Sequence, residues 1–184
     1  MTHAVSPLIE TDRLKLVWLD EGALAAIVRG DRDAVERAIG AEISEEWVDE
    51  ARALCALRLD QMRRVPADAA WLLRAVVLTE ARSAIGQAGF HGAPGINGLE
   101  AADAVELGYS ILAGCRGRGY ATEAARGLMD WAASDSRVRR VLASTAPTNA
   151  ASIRVVQKLG FVEVTRVWDE EDGEEIVFER RIRP

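Results

Sequence analysis

From Val105 to Leu112 the chain alternates. Val105, Leu107, Tyr109 and Ile111 fall on one side and Glu106, Gly108, Ser110 and Leu112 on the other, the period of two expected of a strand. Gly114, Gly117 and Gly119 follow as a turn, and then Ala121, Ala124, Ala125, Leu128 and Ala132 recur at the spacing of a helix stripe. The same reading parses the rest. Residues 1–10 read as a lead-in. Leu14, Leu16 and Trp18 mark a first strand, and Asp20 or Glu21 opens a short helix through Val28. Asp31 caps a second helix ending near Gly40, and Ser44 caps a longer one with the stripe Trp47, Ala51, Leu54, Cys55, Leu59 and Met62, closed by Pro66. Strands are expected at 71–79 and 83–91, with Gly86 and Gly89 signalling a bulge or a close backbone approach. Residues 92–103 read as loop, 138–145 as a strand, and 162–168 with 175–182 as a hairpin around an acidic turn, 169–173. The order β, helices, βββ, α, β, α, ββ predicts an α/β domain over 1–184, and the strand–helix–strand step after residue 105 predicts a parallel pair joined by a right-handed crossover.

Composition narrows the class. An apolar fraction of 49% and a charged fraction of 28% over 184 residues are those of a soluble globular domain. There is no apolar run of about 20 residues and no basic-then-apolar leader, so neither a membrane partner nor export is expected and a cytoplasmic location is. Cys55 and Cys115 are too few for a disulfide framework. A net charge of −6 argues against nucleic acid as a partner. Within that acidic chain Arg116, Arg118 and Arg126 gather at the glycine turn and its helix, which suits a small polyanion, with solvated surface charges as the other reading and the one preferred for Arg126.

Strand, glycine-rich turn and helix form a phosphate-holding recipe: glycines let backbone approach an anion, and the free N–H groups of the first helical turn point at it. A Walker loop is excluded because no Gly-Lys pair exists, and Gly117 and Gly119 supply only half of a dinucleotide fingerprint. The segment Arg116-Gly117-Arg118-Gly119-Tyr120-Ala121 instead matches [QR]xxGx[GA], the pyrophosphate loop of the GNAT N-acetyltransferase superfamily. Asn149 to Phe161 resembles that family's NxxSxxxxxKxGF segment, and Thr11 to Leu16 resembles the TxRLxL opening of its RimJ/RimL-type branch.

The resemblance implies a mixed, twisted central sheet of about seven strands with flanking helices, two central parallel strands splaying apart at the cofactor site. It implies acetyl-CoA as acetyl donor and no metal. The backbone of Ser110, Ile111 and Leu112 would pair with the pantetheine amides. The N–H groups of Arg116, Gly117, Arg118, Gly119, Tyr120 and Ala121 would hold the pyrophosphate, with Thr122 adding a hydroxyl and Arg118 and Arg154 meeting the remaining phosphate charge. Asn149 fits two roles at once, a hydrogen bond to the arm and a helix N-cap. Trp47 and its neighbours fit either the acceptor groove or a core stripe. Gly160 and Phe161 read as helix-ending residues, and Cys115 as a small packing residue.

The expected chemistry is direct attack of a neutral amine on the thioester, helped by a general base. Glu106 is the candidate base; an exposed strand glutamate is the other reading. Many relatives carry a tyrosine acid four residues past Ser152, where this chain has Val156; either Ser152 assists the departing thiolate by a hydrogen bond, as the RimJ/RimL resemblance implies, or the thiolate leaves unassisted, its thiol pKa being only about 8.5. An α-amine of pKa about 7.7–8.0 is roughly a quarter neutral near pH 7.4, whereas lysine at about 10.4 is about 0.1% neutral. A sparse acid–base set therefore favours a protein N-terminus or a small low-pKa amine as acceptor. A non-catalytic acyl-CoA sensor on the same fold is the alternative, and generic nucleotide binding a distant third. The acidic hairpin Asp169, Glu170, Glu171, Asp172, Glu174 and Glu175 is either a cation attractor or a solvated turn. Homodimerisation is compatible with the sequence.

Overall fold

The computed structural model describes residues 8–170 and 173–183. The elements are β1 (Leu8–Glu10), β2 (Leu14–Trp18), α1 (Glu21–Arg29), α2 (Arg32–Ile39), α3 (Glu45–Arg64), β3 (Arg74–Leu78), β4 (Ser83–Phe90), β5 (Ala104–Ile111), α4 (Tyr120–Ala132), β6 (Arg140–Thr145), α5 (Ala150–Lys158), β7 (Val162–Asp169) and β8 (Gly173–Arg181). The strands form one sheet in the order β1-β2-β3-β4-β5-β6-β8-β7. Among the described residues eight strands stand where about seven were expected, because Leu8–Glu10, taken as lead-in, pairs with β2. The first seven residues and Glu171 and Asp172 of the acidic turn lie outside the described residues.

Polar caps read from the sequence sit where they should. Asp20, Asp31 and Ser44 accept from the backbone N–H groups of Ala23, Ala34 and Trp47 at the starts of α1, α2 and α3, and Gly30 and Gly40 end the first two helices in the left-handed conformation. The third strand starts at Arg74, three residues later than expected, because residues 66–73 are spent on a 3-10 turn, Pro66–Asp68, and the bend after it.

Helices cover both faces. On one, α4 and α5 close over Leu14, Leu16, Val76, Phe90, Leu107 and Phe178. On the other, α1 to α3 close over Leu72, Ala75, Val77 and Ala84. Trp47 is 1% exposed and its indole N–H donates to the Gly86 carbonyl at 2.9 Å, so it belongs to the core rather than to a groove.

Two irregularities place the site. The β3–β4 register slips between Val76 and Val77, leaving Ile85 as the extra residue of a bulge. Beside it Gly86 lies so close to β5 that a Cβ there would sit 2.1 Å from the Ser110 carbonyl oxygen, and one on Gly89 would sit 2.6 Å from that of Leu72. Then β5 and β6 pair in parallel over Ala104↔Arg140, Val105↔Val141 and Glu106↔Leu142 only. Beyond those rungs β5 runs on to Ile111 and β6 to Thr145 unpaired with one another.

Candidate active site

A cleft of about 360 Å³ opens where the two strands part. Its walls are the free edge of β5, the glycine turn, the first turn of α4 and the first turns of α5. Ser110, Ile111, Arg116, Gly117, Gly119 and Tyr120 line it on one side; Ala121, Thr122, Asn149, Ser152 and Arg154 complete it. Eleven residues chosen from sequence are thus brought together by one opening.

The turn is built to present backbone. Gly117 and Gly119 hold φ of +76° and +83°, and nothing stands within 4 Å of a Cβ on Gly117. Gly119 is the N-cap of α4 and offers no side chain, so the helix's first N–H groups lack the polar cap that the starts of α1, α2, α3 and α5 possess. The Arg116 side chain braces the turn, donating from Nε to the Ile111 carbonyl at 2.8 Å. At the facing helix Asn149 accepts from the Ser152 N–H at 3.1 Å, so its capping role is observed. Gly160 ends that helix with φ of +78° and Phe161 is buried behind it, both as read from sequence.

Three chosen residues do not line the cleft. Leu112 is 8% exposed in the core of the α1–α3 face, and its N–H donates to the bulged Ile85 carbonyl at 2.9 Å, so that group is already spent. Arg118 points its side chain to solvent, while its carbonyl accepts from Arg13 at 3.2 Å. Glu106 lies deeper, 3% exposed; one carboxylate oxygen takes the Gly98 N–H at 2.7 Å and the other the Ser144 hydroxyl at 2.6 Å.

Other residues at the site escaped the sequence reading. The Tyr109 hydroxyl lies 2.9 Å from Ser152 Oγ inside the cleft. Burial pushes the phenol's pKa up, against a smaller downward pull from that hydrogen bond, so the group stays protonated at neutral pH. Val156, where an acid is usual, is 1% exposed core. Lys158 also lines the cleft, as does Cys115, read from the sequence as a packing residue and partly buried against the core.

The Thr11–Arg13 segment turns out to clamp the loop. Thr11 Oγ1 and the Arg13 N–H donate to one Glu123 oxygen at 2.7 and 2.8 Å, while Arg13 Nε donates to the other at 2.7 Å. The Arg13 guanidinium also stacks 4.6 Å from the centre of the Tyr120 ring. The signal was present in the TxRL spacing, but its partner, Glu123, is 110 residues away from Arg13.

Comparison with known proteins agrees with this geometry. Residues 13–162 match the family model described as an acetyltransferase (GNAT) domain. The chain is 31% identical over 159 residues to an uncharacterised N-acetyltransferase, YjdG, of Bacillus subtilis (strain 168), covering 84% of this chain and 89% of that protein. Among solved structures, a putative GNAT-family acetyltransferase from Bordetella pertussis superposes with a TM-score of 0.67 at 22% identity, over 94% of this chain and 98% of the other. RimL, a ribosomal L7/L12 α-N-protein acetyltransferase, gives 0.64 at 16% identity, over 96% and 99%. At those identities the two structures speak for the fold, while the family model and the Bacillus relative speak for descent, and the chain belongs to the GNAT acetyltransferase family.

Proposed function

We propose that the protein is an N-acetyltransferase that moves the acetyl group of acetyl-CoA to a primary amine by direct attack, and that the favoured acceptor is an α-amine of a protein or peptide N-terminus, or a small amine of similar pKa. The observation that carries this reading is the uncapped start of α4 over a cleft that runs from the glycine turn to the parting strands. Its unsatisfied N–H groups and the positive end of the helix dipole suit a pyrophosphate. The free edge of β5 at Ser110 and Ile111 suits an extended arm carrying amides, added as a strand would be. Arg154 and Lys158 at the rim, with Arg118 beside it, suit the remaining phosphate.

In this reading the thioester lies between Ser152 and Glu106. The amine nitrogen attacks the carbonyl carbon, the N–C bond forms, the C–S bond breaks and its electron pair stays on sulfur. The Ser152 hydroxyl, positioned by Tyr109, hydrogen-bonds that sulfur, which leaves as a thiolate and takes its proton from solvent; Glu106, on β5, is the carboxylate on the side of the base. The buried Val156 keeps an alternative in view, a non-catalytic acyl-CoA sensor, in which Glu106→Gln would leave both binding and output intact.

The test is thermal unfolding with acetyl-CoA, CoA and ATP side by side. At a hundred times its dissociation constant a ligand adds about 2.7 kcal/mol, or roughly 5–10 °C for a chain of this size. Shifts with both CoA species and none with ATP are expected; no shift with saturating acetyl-CoA would remove the proposal.

A further inference from the structure

The proton of the attacking amine needs an acceptor that can touch it, and Glu106 is sealed. Its side chain is 4% exposed and both oxygens are engaged by Gly98 and Ser144. A more exposed titratable group lies against that carboxylate on the same face of the sheet. The β4–β5 register places Gly89 opposite Gly108 and Gln87 opposite Ser110, and the His91 N–H donates to the Glu106 carbonyl at 2.9 Å. His91, Glu106, Gly108 and Ser110 therefore share one face of the sheet. His91 Nδ1 lies 3.6 Å from Glu106 Oε2. The ring leans along the strand over Gly108, where Nε2 would be 3.5 Å from a Cβ. Two residues further along, on the same face, Ser110 lines the cleft. The His91 side chain is 43% exposed, tenfold more than the carboxylate behind it.

We propose that His91 is the general base, with Nε2 taking the amine proton, and that Glu106 is a positioning residue whose carboxylate faces Nδ1 at 3.6 Å and balances the imidazolium that forms. This rests on the acetyl-transfer reading above. As the amine's N–C bond forms, its proton moves to Nε2; the imidazolium then releases it to solvent through the exposed ring edge. The backbone under the ring is fixed from three sides. The His91 carbonyl accepts from Gln61 at 2.7 Å and from Arg58 at 3.2 Å, and its N–H is held by β5. A neutral ring is required, and the surroundings supply one. Burial holds the His91 pKa below its ordinary value, Glu106 from β5 pulls it up, and Arg58 from α3 pushes it down; Asp68, beyond Arg58, tempers that last charge.

The experiment uses the full chain. His3 and His91 are its two histidines, so the imidazole signals are assigned by comparison with His91→Gln. Nitrogen NMR through a pH titration should find His91 with the proton on Nδ1, an apparent pKa below 6.5 that falls further in Glu106→Gln, and an Nε2 shift that responds to acetyl-CoA. A proton on Nε2, or a pKa untouched by Glu106→Gln, would overturn the proposal. Kinetics with acetyl-CoA and trialanine add a second arm. His91→Gln should keep the acetyl-CoA thermal shift while kcat falls 10²–10⁴-fold and the acidic limb of the kcat/KM profile disappears. Activity within threefold of wild type with an unchanged profile would overturn it equally. Absence of the acetyl-CoA shift in wild type would strike the acetyl-transfer reading itself, and this one with it.

Discussion

Gly86 sits at the tightest crossing in the sheet, between the bulge of β4 and the strand that edges the cleft. A methyl group there would lie 2.1 Å from the Ser110 carbonyl oxygen and 2.9 Å from Ile111 Cδ1. The first neighbour is backbone, so it cannot rotate away; β5 must move, and the Trp47 indole held by the Gly86 carbonyl moves with it. Gly86→Ala is expected to cost about 3 kcal/mol or more, a fall in Tm of about 6–12 °C, with weaker acetyl-CoA binding because Ser110 is displaced. A variant that melts within 2 °C of wild type would show that the strand yields freely. The sequence made this position legible, since glycine inside a strand pattern means a bulge or a close approach. It did not reveal His91 or Tyr109. Each reads from sequence as one more strand residue, and each acquires a role only from a neighbour set by pairing register or by the packing of α5.

The start of α4 is held by a segment from the far end of the chain. The caps of α1, α2, α3 and α5 were legible because a cap and its N–H partner are three residues apart. The clamp on α4 was not, because Glu123 is met by Thr11 and Arg13 from the far end of the chain. Burial raises the Glu123 pKa, but the hydrogen bonds from Thr11 and Arg13 outweigh it and hold the carboxylate below its ordinary value. Glu123→Ala frees Arg13 from both α4 and the turn it braces. It should weaken acetyl-CoA binding about tenfold by calorimetry, an expected loss of about 1.4 kcal/mol, and lower Tm by a few degrees. Unchanged affinity would show that the turn keeps its shape without the clamp.

For the molecule as a whole these ionisations set a pH window. Glu123 and Asp103 both have folded pKa values below their ordinary ones, Asp103 chiefly through its hydrogen bond from Arg140, so the stability they contribute is present above about pH 4 and is lost as pH falls through the folded values. His91 is depressed as well, mainly by burial; the native state resists charging it, and stability declines as pH drops below about 6.5. Cys55 works from the other side. Burial pushes its thiol up to about 12, so the folded state holds a proton that the unfolded chain releases above about pH 8.5. Denaturant midpoints should therefore plateau between about pH 6.5 and 8.5. His91→Gln should flatten the first acidic step and Cys55→Ala the alkaline one, each measured by urea unfolding across pH; slopes that persist in the variants would assign them to other groups. The sheet's architecture was legible from the order of elements and the loop motif, apart from β1, whose three residues are too short to show a period.

The three-rung ladder between β5 and β6 has a mechanical meaning. A sheet that is continuous on either side and open along one line is a notched plate, and stress between its halves concentrates at the tip of the notch. Here the tip is Ala104 to Glu106 against Arg140 to Leu142, with Ala104, Val105, Val141 and Leu142 wholly buried. Glu106 is the last bonded residue before the opening. The Glu106 carboxylate therefore sits at the tip of that notch, where strain between the halves is gathered, while the residues lining the cleft stand on the two lips, which are free to part.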